Sequence, residues 1–177
     1  MRPTIVILAG GAGRRIGGGK PQRLLAGRAL IDRALGLARG WSDDVRIAGP
    51  GGDLADAPDI AGPLGGLAAG LGLGREILTI PCDMPFLPED LPARLAGDAA
   101  AVLAMSHGRL HPVCGLWRPA ARDGLDAYLA TGRRSLHGFA EAVGYQAVEW
   151  GIDPIDPFFN INDDADLARA EAILRDR

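Results

Sequence analysis

Lysine is almost missing from this chain. Of 19 basic residues a single one, Lys20, is lysine, and the others are arginine. Asparagine occurs only as Asn160 and Asn162. In a chain rich in arginine and alanine, these three positions stand out as places where arginine or aspartate does not serve. Cysteine is also scarce. Cys82 and Cys114 make no CxxC pair, which excludes a redox motif and a secreted disulfide framework. Three histidines and two scattered cysteines are a poor zinc set. Long apolar runs are absent as well: the run over residues 5–9 is far short of the roughly 20 residues that span a bilayer, and no signal-peptide layout surrounds it. A net charge of -3 offers no basic excess to nucleic acid or to an anionic membrane. The expectation is a reduced, cytoplasmic protein of one domain over residues 1–177, with neither nucleic acid nor membrane as partner.

What the chain has in quantity is glycine, 26 residues of it, spaced between short apolar segments. Residues 4–9 form a β-branched apolar run bounded by glycine and read as a buried parallel strand. Residues 28–39 place Leu30, Ile31, Ala34, Leu35 and Ala38 on one helical stripe, with Gly40 suited to its end. Further strands are predicted at 45–48, 76–80, 99–104, 112–117, 145–150 and 158–161. Helices are predicted at 64–73, 89–95, 120–130 and 136–143. A last helix is expected after Asn162 as N-cap, with Asp163, Asp164 and Asp166 in its first turn, where the helix dipole favours anions. Strands alternating with helices in the first half indicate βαβ units and a parallel sheet, hence an α/β class.

The loop over residues 10–20 carries the first chemical signal. Seven of its eleven residues are Gly or Ala, and Arg14, Arg15 and Lys20 supply the cations. Glycine-rich backbone lets N–H groups approach phosphate oxygens, and guanidinium and ammonium groups beside it suit a triphosphate. Two common templates fail. A Walker loop starting at Arg14 lacks its first glycine and ends on Pro21, and a dinucleotide fingerprint starting at Gly11 meets Ile16 at its third glycine.

The second signal is Asp83, at the end of the apolar strand over 76–80 and before the Pro85 turn. Ligands of parallel sheets bind beyond the carboxyl ends of the strands, so the glycine loop and Asp83 are expected on one edge. A carboxylate facing phosphates repels them unless a divalent cation lies between, and Mg²⁺ is held in that way. The competing reading of Asp83 is a turn residue.

Several segments occur in an order that resembles the molybdenum cofactor guanylyltransferases. They are Leu8-Ala9-Gly10-Gly11-x-Gly13-Arg14-Arg15-Ile16-Gly17 with Lys20, then Leu25-x-Gly27-Arg28-x-Leu30-Ile31 and Gly62-Pro63-Leu64-Gly65-Gly66. Pro81-Cys82-Asp83-Met84-Pro85-Phe86-Leu87, His111-Pro112-Val113-Cys114-Gly115-Leu116-Trp117 and Phe158-Phe159-Asn160-Ile161-Asn162 complete the set. The resemblance runs from residue 4 to about residue 174. It implies a three-layer α/β/α fold around a mostly parallel, Rossmann-like nucleotidyltransferase sheet. It also implies transfer of GMP from GTP to the phosphate of the molybdopterin cofactor, with Mg²⁺ and release of pyrophosphate. Its further implication is transient contact with molybdoenzymes or cofactor-delivery proteins.

Carried over by motif, Leu8, Ala9, Gly10 and Gly11 hold the nucleotide, Arg15 and Lys20 contact its phosphates, and Asp83 binds Mg²⁺. An acidic residue ahead of Gly62-Pro63-Leu64 contacts GTP; Asp59 is placed first and Asp56 second. His111, Asn160 and Asn162 are assigned to the acceptor, with Arg133 and Arg134 available to its anionic tail. Trp117 and Phe86 read as packing. The chain departs from the family's pattern in two places: Arg15-Ile16-Gly17-Gly18-Gly19-Lys20 is one residue short and has no acid before the lysine, and Ala48-Gly49 stand where an asparagine is common. The shorter spacing also resembles cytidylyltransferase relatives. The alternatives are therefore a CTP-using cofactor cytidylyltransferase and a catalytically silent nucleotide- or cofactor-binding adaptor.

Overall fold

The computed structural model describes residues 2–10, 19–57, 59–60 and 62–176. Gly11, Arg14 and Arg15 lie outside the described residues.

Strand β1 (Thr4–Leu8) is buried at every residue. Its side chains alternate between the two faces of the sheet, so Ile5 and Ile7 enter one core while Val6 and Leu8 enter another. A hairpin of β2 (Leu24–Leu25) and β3 (Arg28–Ala29) follows a 3₁₀ turn at Lys20–Gln22. Helix α1 (Leu30–Trp41) then packs its Ile31, Ala34 and Ala38 stripe on the Ile5 and Ile7 face. It runs straight through Gly40, because burying Ala38 and packing Trp41 against the same core outweigh a single glycine's helix penalty.

After β4 (Val45–Ala48), helix α2 (Pro63–Leu71) covers the opposite face. Its glycines are why it lies close. A Cβ on Gly66 would meet Leu8 Cδ2 at 2.8 Å, and one on Gly70 would meet Ile77 Cδ1 at 2.8 Å. Strand β5 (Ile77–Pro81), the short helix α3 (Leu91–Arg94) and strands β6 (Ala101–Ser106) and β7 (Arg109–Trp117) come next. They are followed by α4 (Ala120–Asp123), α5 (Leu125–Ala130), α6 (Leu136–Val143), β8 (Tyr145–Trp150) and α7 (Asp164–Arg175).

The main sheet has six strands in the order β4-β1-β5-β7-β6-β8. Only β7 runs against the others. Helices α1 and α3 cover one face, and α2 and α4 to α6 cover the other. This is the expected α/β/α arrangement of a mostly parallel sheet.

Four expectations are corrected. The segment 158–161 is not a strand: its one backbone bond to another element runs from Ile161 N–H to the Asp83 carbonyl (2.9 Å), and Phe158 and Ile161 anchor it by burial. Asn162 is not the N-cap of α7. Asp163 caps it, accepting from the Asp166 N–H, while Asp166 accepts in turn from the Asn162 N–H (both 2.9 Å). The helix expected over 120–130 is two helices divided at Gly124. The strand expected at 112–117 starts at Arg109 and is the antiparallel one. Its register against β6 shifts between Leu103 and Ala104, and Pro112 falls inside that irregularity, where no ladder N–H is needed.

A third apolar cluster joins Leu25 and Leu30 to Phe86, Ile161 and Ala170. It ties the β2–β3 hairpin to α7, and an Arg23–Asp164 ion pair reinforces the contact.

Candidate active site

Strands β1, β4 and β5 are parallel and in register at their carboxyl ends, where Leu8 pairs with both Ala48 and Pro81. Three chain segments therefore leave the sheet at one level: Ala9-Gly10, Gly49-Pro50 and Cys82-Asp83. A cleft of about 560 Å³ opens there, lined by Ala9, Gly10, Gly19, Gln22, Gly52 and Asp56. Its size suits a nucleotide-sized ligand. Leu8 turns its side chain into the core, 6% exposed, so only its backbone faces this edge.

Asp56 closes one side. A Cβ on Gly10 would meet its Oδ2 at 2.8 Å and one on Gly66 its Oδ1 at 3.4 Å, so the carboxylate occupies the space that two glycines leave. Its Oδ1 is buried with no hydrogen-bond partner, and burial raises its pKa above the ordinary value. A buried acceptor without a donor is rare and points to a ligand. Asp59, placed first by the sequence, is exposed. The difference arises because Ala57 N–H bonds the Gly65 carbonyl (3.3 Å), which folds the loop back on α2 beside Asp56.

Lys20 and Asp83 form an ion pair, with both side chains 17% exposed. Lys20 reaches Asp83 from the 3₁₀ turn that follows the glycine loop. Asp83 is tied down through its carbonyl by Ile161 N–H. That bond brings in Asn160, whose Oδ1 is, among the described residues, the other buried side-chain oxygen without a partner. Among the described residues no three His, Cys, Asp or Glu side chains gather to hold a metal. Asp83 and Asn160 offer one carboxylate and one amide oxygen, both hard ligands. That suits Mg²⁺, which takes few protein ligands and fills its shell with phosphate oxygens and water.

The two thiols are not nucleophiles. Burial, with the Asp83 charge adding to it and Lys20 opposing, pushes Cys82 up to about 12. Burial and Asp83 also raise Cys114 well above its ordinary value.

The candidates assigned to the acceptor do not line this cleft. His111 is 6% exposed, pairs its Nε2 with Ser106 Oγ (2.8 Å) and stacks on Phe158 at 4.7 Å and 18°. Burial lowers its pKa, with Arg109 adding and Asp156 and Glu149 opposing. Asn162 is exposed at the start of α7. Arg133 and Arg134 are exposed before α6. Arg133 lies over Tyr128 and pairs with Glu141 (3.6 Å), and Arg134 donates to the Leu129 carbonyl (2.9 Å). Trp117 and Phe86 are buried packing residues, as expected. Gln22 and Gly52, which line the cleft, carry no motif that marks them in the sequence; a hairpin read at Leu25-Ala26-Gly27-Arg28 is the signal that aims the Gln22 turn at this edge.

No helix among the described residues is long and apolar enough to cross a membrane. Residues 5–143 match the MobA-like NTP transferase domain family. A molybdenum cofactor guanylyltransferase of Acidiphilium cryptum (strain JF-5) is 41% identical over 185 residues, covering 94% of this chain and 93% of the relative. One of Cereibacter sphaeroides (strain ATCC 17029 / ATH 2.4.9) is 40% identical, covering 99% and 98%. In fold, the chain is similar to molybdopterin-guanine dinucleotide biosynthesis protein A of Archaeoglobus fulgidus, with TM-score 0.81, 22% identity and coverage of 98% and 100%. It is also similar to 2-C-methyl-D-erythritol 4-phosphate cytidylyltransferase of Thermus thermophilus, with TM-score 0.68, 21% identity and coverage of 99% and 100%. The chain belongs to the molybdenum cofactor guanylyltransferase family, among the MobA-like NTP transferases, and is a nucleotidyltransferase.

Proposed function

We propose that this chain transfers GMP from GTP to the phosphate of the molybdopterin cofactor and releases pyrophosphate. The observation that carries the proposal is the Lys20–Asp83 pair, set on the same sheet edge as the Ala9-Gly10 cleft. An acceptor phosphate oxygen forms a bond to the α-phosphorus. The bond from that phosphorus to the β-phosphate oxygen breaks, and its electron pair leaves with pyrophosphate. No protein nucleophile takes part, in keeping with two thiols that are both buried. Catalysis then consists of positioning and charge stabilisation.

In this reading, backbone groups of Leu8, Ala9, Gly10 and Gly11 hold the nucleotide, and Arg15 and Lys20 neutralise its phosphates. Asp83 and Asn160 are the protein's ligands to Mg²⁺, which when bound offsets the phosphate charge. Asp56 takes the nucleotide contact that the sequence reading gave first to Asp59. The Asp56 carboxylate, whose two oxygens can each accept and one of which is buried without a donor, suits the adjacent N1–H and N2–H donors of guanine, a pair that cytosine lacks. That favours GTP over CTP. Asn162, exposed two residues beyond Asn160, keeps its assignment to the acceptor.

The test is pyrophosphate release with GTP and with CTP, each in the presence of molybdopterin and Mg²⁺. Release with GTP is expected. Release with CTP alone establishes the cytidylyltransferase, and nucleotide binding without turnover establishes the silent adaptor.

A further inference from the structure

His111 has no role in the chemistry above, yet it is a buried polar side chain held both at Nε2 and on its ring face. It is 6% exposed, on a strand reversed against all its neighbours. Its Nε2 is satisfied by Ser106 Oγ at 2.8 Å, and Ser106 is itself 1% exposed. Besides its Nδ1, what the side chain presents to its surroundings is the ring face. The face lies flat on Phe158, with centroids 4.7 Å apart and planes 18° apart. Phe158 is also held edge-on by Trp150 at 5.4 Å, and Trp150 is fixed by Asp90 through its indole N–H (3.1 Å) and covered by Arg94 (4.1 Å). Phe158 thus sits in a cage of two rings.

The chain emerging from that cage matters. Two residues on, Asn160 presents its buried, unpartnered Oδ1, and the next residue, Ile161, donates to the Asp83 carbonyl. The segment is no strand, so no ladder fixes its height over the sheet. Its placement rests on the Phe158 and Ile161 anchors, on the bond to Asp83 and on a local turn in which Asp156 accepts from the Phe158 and Phe159 N–H groups (2.9 and 3.1 Å). From this juxtaposition we infer that His111 is a positioning residue: its ring face sets Phe158, and through it the Asn160 amide oxygen and the Asp83 loop. The inference rests on the proposed function only for its kinetic consequence. A group that orients a ligand residue from behind commonly matters nearly as much as the ligand.

Three proteins test it: His111→Ala, His111→Asn, and His111→Phe combined with Ser106→Ala. The last keeps a flat ring against Phe158 and removes the hydroxyl that would otherwise lose its partner. Two readouts are needed: steady-state kinetics with GTP and molybdopterin, and amide exchange by NMR at Ile161 against Val6 in β1.

For His111→Ala and His111→Asn, kcat should fall by about 10- to 100-fold while KM for GTP stays within about twofold, since none of these groups lines the cleft. Ile161 exchange should rise by about tenfold, with Val6 unchanged. The ring-bearing double variant should recover both. Wild-type behaviour of His111→Ala in both readouts overturns the inference. So does a double variant as impaired as His111→Ala, which places the role in the imidazole nitrogens. Equal acceleration at Val6 also overturns it, because the effect is then general destabilisation. If the wild-type protein transfers no GMP, the proposed function falls, and the exchange measurement alone decides the role of His111.

Discussion

The Lys20 ammonium and the Asp83 carboxylate face each other across the carboxyl edge of the sheet, one from the glycine-loop side and one from the end of β5. Each is the charge that the other needs while no phosphate is bound. Asp83→Ala is expected to lower kcat for GMP transfer by about 100-fold or more, the scale for losing one charge-stabilising group. Lys20→Ala should fall in the same range. If both act on the same triphosphate, the double variant should lose little beyond the worse single one. Pyrophosphate release checks the rates, and circular dichroism checks that the fold survives.

Asp56 rather than Asp59 should govern nucleotide affinity. Asp56→Asn removes a charged acceptor from the cleft and should weaken GTP binding by about tenfold or more, as for one charge-assisted hydrogen bond. Asp59→Asn changes an exposed carboxylate and should stay within about twofold. Titration calorimetry with GTP compares the two.

The same residue has a signature in stability. Burial holds the folded Asp56 carboxyl above its ordinary value of 3.8. Between the unfolded and folded values the native state binds the proton and the unfolded chain does not. Stability therefore falls as pH rises through that window. Relative to wild type, Asp56→Asn should gain as pH is raised above 3.8 and level off once the folded carboxyl is ionised. Urea midpoints from pH 3 to pH 8, a range of about 5 units, follow the difference.

Thr79 sits at the centre of β5 with no exposure, accepting from Trp117 Nε1 (3.0 Å) and donating to the Gly115 carbonyl (3.2 Å). Thr79→Val keeps the shape and strands the indole N–H. It should cost about 1–3 kcal/mol and lower Tm by about 2–4 °C for each of these. Differential scanning calorimetry measures it.

The β2–β3 hairpin turns at Ala26 and Gly27, with φ of +49° and +76°. Both positions of such a turn need positive φ, and alanine pays strain there that asparagine does not. Ala26→Asn is expected to stabilise the protein by about 0.5–1 kcal/mol, read as a rise in Tm. Activity should be unchanged, because the turn's residues do not line the cleft.

Several elements were legible in the sequence: Val45–Ala48, Leu136–Val143 and Tyr145–Trp150 have the expected bounds. The α/β class followed from strands alternating with helices, and the three-layer arrangement from the family resemblance. What failed to show were features set by partners far along the chain. The apolar pattern Phe158-Phe159-Asn160-Ile161 has strand character, but the backbone it meets is a loop at Asp83 rather than a strand edge. The reversal of β7 depends on its tight return from β6, which periodicity does not encode. Asp56 and Asp59 differ only in which one a loop turns inward, a consequence of the Ala57–Gly65 bond. Lys20 and Asp83, by contrast, were visible as chemistry before any geometry. Arg15 and Gly11, read from the same loop, lie outside the described residues.

The cluster that joins Leu25 and Leu30 to Phe86, Ile161 and Ala170 also sets a timetable. During synthesis β1 can pair with β4 and β5 before the second half of the chain is made, since both partners precede Cys82. The hairpin and the Asp83 loop gain their cover only when residues 161–170 leave the ribosome. A nascent chain therefore holds a half-built candidate site without Asn160, and this edge of the sheet is among the last parts of the molecule to be finished.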